Sequence, residues 1–191
     1  MLILLPPSET KSEPRRGGAP LDLGSLSFPE LTAHRAAVLD ALVRLSHGPR
    51  DAARRTLGLT VGQDAEIERN TRLRDAPTTR ASRLYTGVLY DALDLSSLTG
   101  AAKRRASTRV VVASALFGAL RPNDRVPPYR LSAGVTLPGF GGVVASWRQP
   151  LAAAMPAAAG RRGLVLDLRS TSYAAMWRPE AALAERTITV R

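Results

Sequence analysis

Short apolar runs, separated by helical stretches, constrain the fold of this 191-residue chain more than any other feature. Such runs, bounded by proline, glycine or charged residues, are typical of buried strands. The predicted strands are Leu2–Leu5, Arg109–Ala113, Gly163–Leu168 and Thr187–Arg191, with a shorter one at Val135–Pro138. Their alternation with helices predicts an α/β (α+β) fold, in which a mixed β-sheet flanked by helices forms a single domain over residues 1–191. The sequence does not show which strands are parallel.

Periodic apolar residues predict the helices between these strands. Pro29–Ser46 has the clearest amphipathic pattern, and its proline suits the first turn of a helix. Arg50–Leu57 predicts a shorter helix, and Asp64–Leu73 predicts a polar, solvated one. We expect Val143–Ala154 to form a helix interrupted near Pro150. Residues 95–106 are expected to form a polar connection.

Charge is the feature of the composition that indicates a partner. Basic residues number 27 against 16 acidic ones, which gives a net charge of +11 and favours binding to a polyanion such as double-stranded DNA. Arginine dominates, because Lys11 and Lys103 are the only lysines. The run Lys103, Arg104 and Arg105 is either a solvated helix or loop face or a contact to the DNA backbone.

Several classes of site are excluded or disfavoured by the composition. The chain has no cysteine, which rules out disulfides and cysteine-ligated zinc. His34 and His47 have no carboxylates at ligand spacing, so no metal site is predicted. The apolar run at the N-terminus is too short for a signal peptide, and no run is long enough to span a membrane. We therefore expect a cytoplasmic protein with no membrane partner.

The segment Ser114–Gly134 predicts an anion-binding loop. It follows a predicted strand and combines three prolines with three arginines, among them Arg121 and Arg130. Proline fixes φ, so such a loop has few conformations. The planar guanidinium fits phosphate or carboxylate.

Polar clusters follow the predicted strands and one apolar stripe, at Ser8–Lys11, Tyr85–Gly87, Arg121–Arg130 and Arg169–Tyr173. If these loops converge at one edge of the sheet, they form a crevice suited to a phosphorylated or nucleotide-like ligand. The residues expected to bind ligand or phosphate there are Ser8, Lys11, Arg121, Tyr129, Arg130 and Ser170. No motif identifies a catalytic residue; the candidates are Glu9, Lys11, Tyr85 and Tyr173.

Each candidate also has a plainer interpretation. Tyr85 and Tyr173 are equally consistent with core aromatics whose hydroxyls reach the surface. Arg121 and Arg130 are equally consistent with ties within their own loop, through Asp124 and backbone carbonyls. The Glu9–Lys11 stretch is also consistent with a solvated turn, although the two prolines before it favour a fixed geometry.

Five motifs, in order along the chain, resemble the peroxide stress protein YaaA family. They are MLILLPPSETK, LYTGVLYDAL, ALFGALRPNDRVPPYRL, the pair Ser146–Trp147, and LDLRSTSYAAMW. The resemblance implies a DNA-binding protein of the hydrogen peroxide stress response, with one mixed α/β domain, a basic cleft and a helix-hairpin-helix element; it implies no cofactor. The residues that fall on the family's motifs are Lys11, Tyr85, Arg121, Tyr129, Arg130, Ser170 and Tyr173.

The sequence departs from the family pattern in two places. Ser132–Ala133–Gly134 stands where the family carries an acidic residue, and family members continue past the equivalent of Arg191, so the chain is expected to lack their C-terminal segment. The nearest candidate for the hairpin element is SALFGAL, around Gly118. The function expected is DNA binding through phosphate contacts in a basic cleft. The alternatives are an enzyme acting on a nucleotide or nucleic-acid base in the same cleft, and a family member that has lost its function.

Overall fold

A five-stranded sheet forms the centre of the computed structural model, which describes residues 1–14 and 17–190. The strands of the described residues are β1 (Leu2–Leu5), β2 (Thr79–Arg80), β3 (Val110–Ser114), β4 (Gly118–Leu120), β5 (Arg125–Val126), β6 (Thr136–Leu137), β7 (Gly141–Gly142), β8 (Val165–Asp167) and β9 (Thr187–Thr189). The central sheet has the order β4-β3-β1-β8-β9, and β2–β5 and β6–β7 form two-stranded antiparallel ribbons. The mixed α/β fold predicted from the sequence is confirmed.

The central sheet is parallel except at one edge. Strand β1 pairs in parallel with β3 and β8, so that Leu4 lies opposite both Val111 and Asp167. Strand β8 pairs in parallel with β9, and only β4 runs antiparallel to its neighbour β3. The predicted strands at Leu2–Leu5, Arg109–Ala113, Gly163–Leu168 and Thr187–Arg191 are confirmed within one to two residues, apart from Arg191, which lies outside the described residues. The parallel arrangement places the carboxyl ends of β1, β3 and β8 at the same edge.

Helices cover this sheet and connect its strands. The α-helices of the described residues are α1 (Thr32–His47), α2 (Arg50–Leu57), α3 (Asp64–Thr71), α4 (Ala81–Leu84), α5 (Val88–Leu93), α6 (Gly100–Arg109), α7 (Val143–Ala159), α8 (Thr171–Ala174) and α9 (Ala182–Glu185). The helices predicted at Pro29–Ser46, Arg50–Leu57 and Asp64–Leu73 are confirmed as α1, α2 and α3.

Three sequence-based expectations about these helices are wrong. The polar connection expected over residues 95–106 is helical from Gly100 onward, as part of α6. Helix α7 continues through Pro150 without interruption, because its Val143, Trp147 and Leu151 face is buried and tertiary packing outweighs one lost backbone hydrogen bond. Helix α3 is not fully solvated, since both Ile67 and Asn70 are buried.

The turn between β3 and β4 lies deep in the core. The residues of SALFGAL, from Ser114 to Leu120, are all buried, and Arg35 is fully buried beside them. The Arg35 guanidinium donates hydrogen bonds to the carbonyl oxygens of Phe117 at 3.0 Å and Ala119 at 2.8 Å. The segment is thus a buried β-turn held by an arginine, so the nearest candidate in the sequence for a helix-hairpin-helix element does not form one.

Across residues 1–14 and 17–190, no helix combines the length and the apolar character needed to cross a membrane.

Candidate functional site

Three of the four predicted polar clusters converge on one cavity of about 280 Å³ at the carboxyl ends of β1 and β8. The loop after β1 supplies one wall, the loop after β8 supplies the second, and residues 130–134 supply the third. The side chains and backbone that line it belong to Pro7, Ser8, Glu9, Lys11, Arg130, Leu131, Ser132, Ala133, Gly134, Ser170, Ser172 and Tyr173. Because β1 and β8 are parallel neighbours, the loops that leave them meet at one edge. We call this cavity the cleft.

Lys11 is the central cation of the cleft. A single antiparallel bridge between Lys11 and Tyr85 fixes its backbone. Its side-chain nitrogen Nζ donates hydrogen bonds to the carbonyl oxygens of Ser8 at 3.1 Å and Glu9 at 3.3 Å. Nζ also lies 4.5 Å from the centre of the Tyr129 ring. Among the described residues, no carboxylate lies within ion-pair distance of Lys11.

Burial and, to a smaller extent, the positive charge of Arg130 together lower the pKa of Lys11 from 10.5 to about 8. The carboxylates of Glu66 and Glu9 oppose this shift without cancelling it. A lysine with such a pKa is partly neutral near pH 8, so it can serve both as a cation and as an amine nucleophile.

Arg130 is the second cation of the cleft, and helix α3 positions it. The Asn70 side chain accepts a hydrogen bond from the Arg130 backbone N–H and donates one to the Arg130 carbonyl, both at 2.9 Å. The guanidinium lies 3.7 Å from the exposed Glu9 carboxylate. Its Nε is buried and has no hydrogen-bond partner among the described residues.

Sequence reasoning missed the role of Asn70. The signal for a buried Asn70 was its spacing of three residues from Ile67, which places both on one face of α3. The charged residues around them in the sequence obscured this signal. A buried asparagine on an otherwise apolar face commonly holds backbone groups. Here those groups belong to Arg130.

Tyr85 and Tyr129 lie behind Lys11 and do not line the cleft. The Tyr129 hydroxyl is 2.7 Å from Ser114 Oγ at the end of β3 and 3.1 Å from the Tyr85 hydroxyl. Burial raises the pKa of both phenols well above the ordinary value, so both stay protonated. Tyr90 completes this cluster by stacking on Tyr85. The plainer interpretation of Tyr85, as a core aromatic, fits this geometry.

The loop after β8 presents Ser170, Ser172 and Tyr173 to the cleft. A buried ion pair organises this loop, in which Arg169 Nη2 lies 2.8 Å from the Asp167 carboxylate. The Arg169 guanidinium also donates hydrogen bonds to the carbonyl oxygens of Tyr173 at 3.3 Å and of Trp177. Burial raises the pKa of the Tyr173 phenol, which keeps it protonated. Ser172 and Arg169 were not among the predicted site residues, although both lie within the LDLRSTSY motif.

The structure does not bring Arg121 into the cleft. Its guanidinium donates hydrogen bonds to the carbonyl oxygens of Thr108 at 2.5 Å and Val110 at 3.3 Å, and it lies over the Phe28 ring. Its backbone N–H donates to the buried Asp124 carboxylate at 2.8 Å. These contacts fit the interpretation that Arg121 ties its own loop to the sheet.

The sequence predicts contacts to the DNA backbone from Lys103, Arg104 and Arg105. All three are exposed on α6, outside the cleft. Lys103 lines a separate crevice of about 30 Å³ together with Arg80 and Arg83. In the part of the chain that the structure describes, none of these five cations forms an ion pair. These five exposed cations lie on α6 or line the crevice beside it, and we call them the α6 surface.

His34 is half-buried and packs beside the core, outside the cleft. Its Nε2 is 3.2 Å from Ser146 Oγ, and its ring packs edge-on against Trp147. Within residues 1–14 and 17–190, no three histidine or acidic side chains are grouped closely enough to hold a metal ion.

A sequence profile of the family described as peroxide stress protein YaaA matches residues 1–191, which is the whole chain. The chain belongs to the peroxide stress protein YaaA family. The resemblance carried by the five motifs is thereby confirmed. The cleft is therefore built from motifs of this family, since PPSETK, PYRL and RSTSY supply its three walls.

Relatives of this YaaA family member include a UPF0246 protein of Streptomyces coelicolor, 56% identical over 191 residues that make up 100% of this chain and 73% of that protein. A UPF0246 protein of Corynebacterium efficiens is 45% identical over 194 residues, covering 100% of this chain and 75% of that protein. An uncharacterized protein of Campylobacter jejuni is 32% identical over 143 residues, covering 73% of this chain and 56% of that protein.

Proposed function

We propose that this protein acts in the response to peroxide stress by binding double-stranded DNA through its phosphates. The observation that carries the proposal is the pair of cations in the cleft, Lys11 and Arg130, of which Lys11 has no ion-pair partner among the described residues. The family name gives the physiological setting. The net charge of +11 favours a polyanion over a neutral ligand.

The size of the cleft limits what part of the DNA enters it. A cavity of about 280 Å³ accommodates a phosphate with its sugar rather than a duplex. Arg130 lines the same cavity, and its Nε is a buried donor without a hydrogen-bond partner among the described residues, which is costly for the protein alone. The hydroxyls of Ser170 and Ser172 line the same cavity and supply further donors. The α6 surface then contacts the backbone elsewhere along the duplex without reading bases.

Binding of a labelled duplex, measured by fluorescence anisotropy over a series of NaCl concentrations, tests this proposal. We expect the logarithm of the association constant to fall linearly with the logarithm of the salt concentration. The Arg104→Gln/Arg105→Gln variant should bind more weakly. The plot of its association constant against salt should be less steep, by the amount that corresponds to the loss of about one to two phosphate contacts. Arg55→Gln removes one exposed charge from α2 and serves as the control. Absence of binding at low salt, or a flat salt dependence, would overturn the proposal.

The second candidate is an enzyme that acts on a nucleotide or nucleic-acid base in the cleft. The partly buried Lys11 favours it, because phosphate binding alone does not require a lysine whose pKa is lowered to about 8. Titration calorimetry with deoxynucleoside monophosphates distinguishes the two functions. An enzyme cleft should bind one mononucleotide, lose it in Arg130→Gln and keep it in Arg104→Gln/Arg105→Gln, whereas backbone binding alone gives no saturable site.

A further inference from the structure

The side chain of Lys11 has the arrangement of an amine nucleophile in addition to its place as a cation of the cleft. A neutral amine has two N–H groups and one lone pair, and two carbonyl acceptors, those of Ser8 and Glu9, lie within hydrogen-bond distance of Nζ. Among the charged groups around Lys11, Arg130 has the largest effect on its pKa, and it carries the same charge. A lysine that is partly desolvated and placed beside another cation is the arrangement that activates lysine for attack on carbonyl carbon.

The surroundings of Lys11 indicate which carbonyl compound fits. Arg130 and the hydroxyls of Ser170 and Ser172 share the cavity with Nζ and suit a phosphate group. A ligand that offers a carbonyl and a phosphate at once is an open-chain sugar phosphate. In DNA this group occurs where a base has been lost and the deoxyribose opens to its aldehyde form.

We propose that Lys11 forms an imine with the aldehyde carbon of the ring-opened sugar at an abasic site in DNA, while Arg130 binds the adjoining phosphate. This inference rests on the proposed binding of DNA and names the lesion that the cleft accepts.

The reaction is balanced without an oxidant, a reductant or a cofactor. The lone pair of the neutral Lys11 Nζ attacks the aldehyde carbon, so that a C–N bond forms and the carbonyl π electrons move to oxygen. Proton transfer from nitrogen to this oxygen gives a carbinolamine. Loss of the hydroxyl group as water, with loss of the remaining N–H proton, leaves the C=N bond. Hydrolysis by the reverse steps releases the aldehyde and the amine.

The chain allows a clean test, because Lys11 and Lys103 are its only lysines. The full chain is incubated with a duplex that carries one abasic site in the presence of sodium borohydride, which reduces an imine to a stable amine. We expect a covalent protein–DNA adduct, and mass spectrometry of its peptides should place the adduct on Lys11. An intact duplex should give no adduct.

Matched variants separate this chemistry from binding. Lys11→Arg keeps the charge and should lose the adduct; anisotropy on the same variant measures how much abasic duplex is bound, so that the adduct is scored per bound complex. Lys103→Arg, scored in the same way, should keep the adduct. Because the peptide map is made on the unaltered protein, the assignment does not depend on whether Lys11→Arg folds. The yield of adduct should rise with pH through about 8, where half of Lys11 is neutral.

The outcomes distinguish the inference from the proposed function. DNA binding without an adduct overturns the imine and leaves the proposed function intact, whereas absence of DNA binding overturns both. An adduct on Lys103 or on the amino group of Met1 also overturns the inference. An adduct with 2-deoxyribose 5-phosphate but not with the abasic duplex overturns DNA as the source of the aldehyde.

Discussion

The side-chain nitrogen of Lys11 lies 4.5 Å from the centre of the Tyr129 ring. This contact connects the loop after β1 to the tyrosine whose hydroxyl reaches Ser114 at the end of β3. The cleft is thus anchored to two neighbouring parallel strands, β1 and β3, as well as to β8. A change in the charge of Lys11, or in the position of Tyr129, is therefore expected to affect both the stability of the fold and the cleft.

The stability of the protein should rise between pH 7 and pH 9.5 because of Lys11. Its pKa is lowered in the folded state, so the cost of the buried charge is fully present below about pH 8. Above that pH the folded protein releases the proton, while the unfolded chain holds it up to its own pKa of 10.5. The free energy of unfolding should increase by about 1–2 kcal/mol over this range. Urea denaturation at several pH values measures it.

A matched pair of lysine variants isolates this contribution. Lys11→Met should lose the rise, and Lys103→Met, which alters an exposed lysine, should retain it. An unchanged pH dependence in Lys11→Met would show that another group is responsible.

Removing the hydroxyl of Tyr129 should destabilise the protein by about 1–2 kcal/mol, because the Ser114 and Tyr85 hydroxyls each lose a buried partner. A double-mutant cycle of Tyr129→Phe with Ser114→Ala, followed by urea denaturation, measures the coupling. We expect the two losses to be clearly non-additive, since both variants break the same hydrogen bond. Additive losses would mean that the two hydroxyls do not interact.

Gly118→Ala should be among the most destabilising small substitutions in the chain. A methyl group at this position would lie 2.5 Å from Cζ3 of the buried Trp147, and the backbone φ of +72° disfavours any side chain. We expect a loss of at least about 2 kcal/mol in the free energy of unfolding. Gly62→Ala is the control, because no atom of residues 1–14 and 17–190 lies within 4 Å of the added methyl group and φ is ordinary. Equal stabilities of the two variants would contradict the close packing of Trp147 on the turn between β3 and β4.

Asp167→Asn should destabilise the protein by about 3 kcal/mol, because it leaves the Arg169 charge buried without its partner. Since Arg169 organises the loop that carries Ser170 and Tyr173, ligand binding in the cleft should weaken as well. Asp75→Asn, at an exposed position, is the control. A stable Asp167→Asn variant with unaltered DNA binding would show that the ion pair does not support the cleft.

Much of the candidate site could be predicted from the order of strands and polar clusters. Ser8, Lys11, Arg130 and Ser170 follow or approach strand ends, and all four line the cleft. Arg121 could not be separated from them, since its side chain has the same chemistry as that of Arg130. What distinguishes the two is the set of carbonyl oxygens from Thr108 and Val110 that lies within reach of the Arg121 guanidinium.

The role of Asn70 could not be predicted from the sequence either. It lies 60 residues from Arg130 in the chain, and its contacts with the Arg130 backbone depend on how α3 packs, which no local pattern encodes. The interruption predicted at Pro150 failed for a related reason, because the buried face of α7 stabilises the helix across the proline.

The sequence by itself determined the α/β class, most element bounds, the excess of positive charge and the membership of the YaaA family, because these depend on local periodicity, composition and motifs. The tertiary structure decided that β1, β3 and β8 are parallel neighbours and that three distant loops meet in one cleft. It also decided that Lys11 is partly buried beside Arg130, which lowers its pKa. Desolvation and the repulsion between like charges depend on distances across the fold, and those distances arise only when the chain packs.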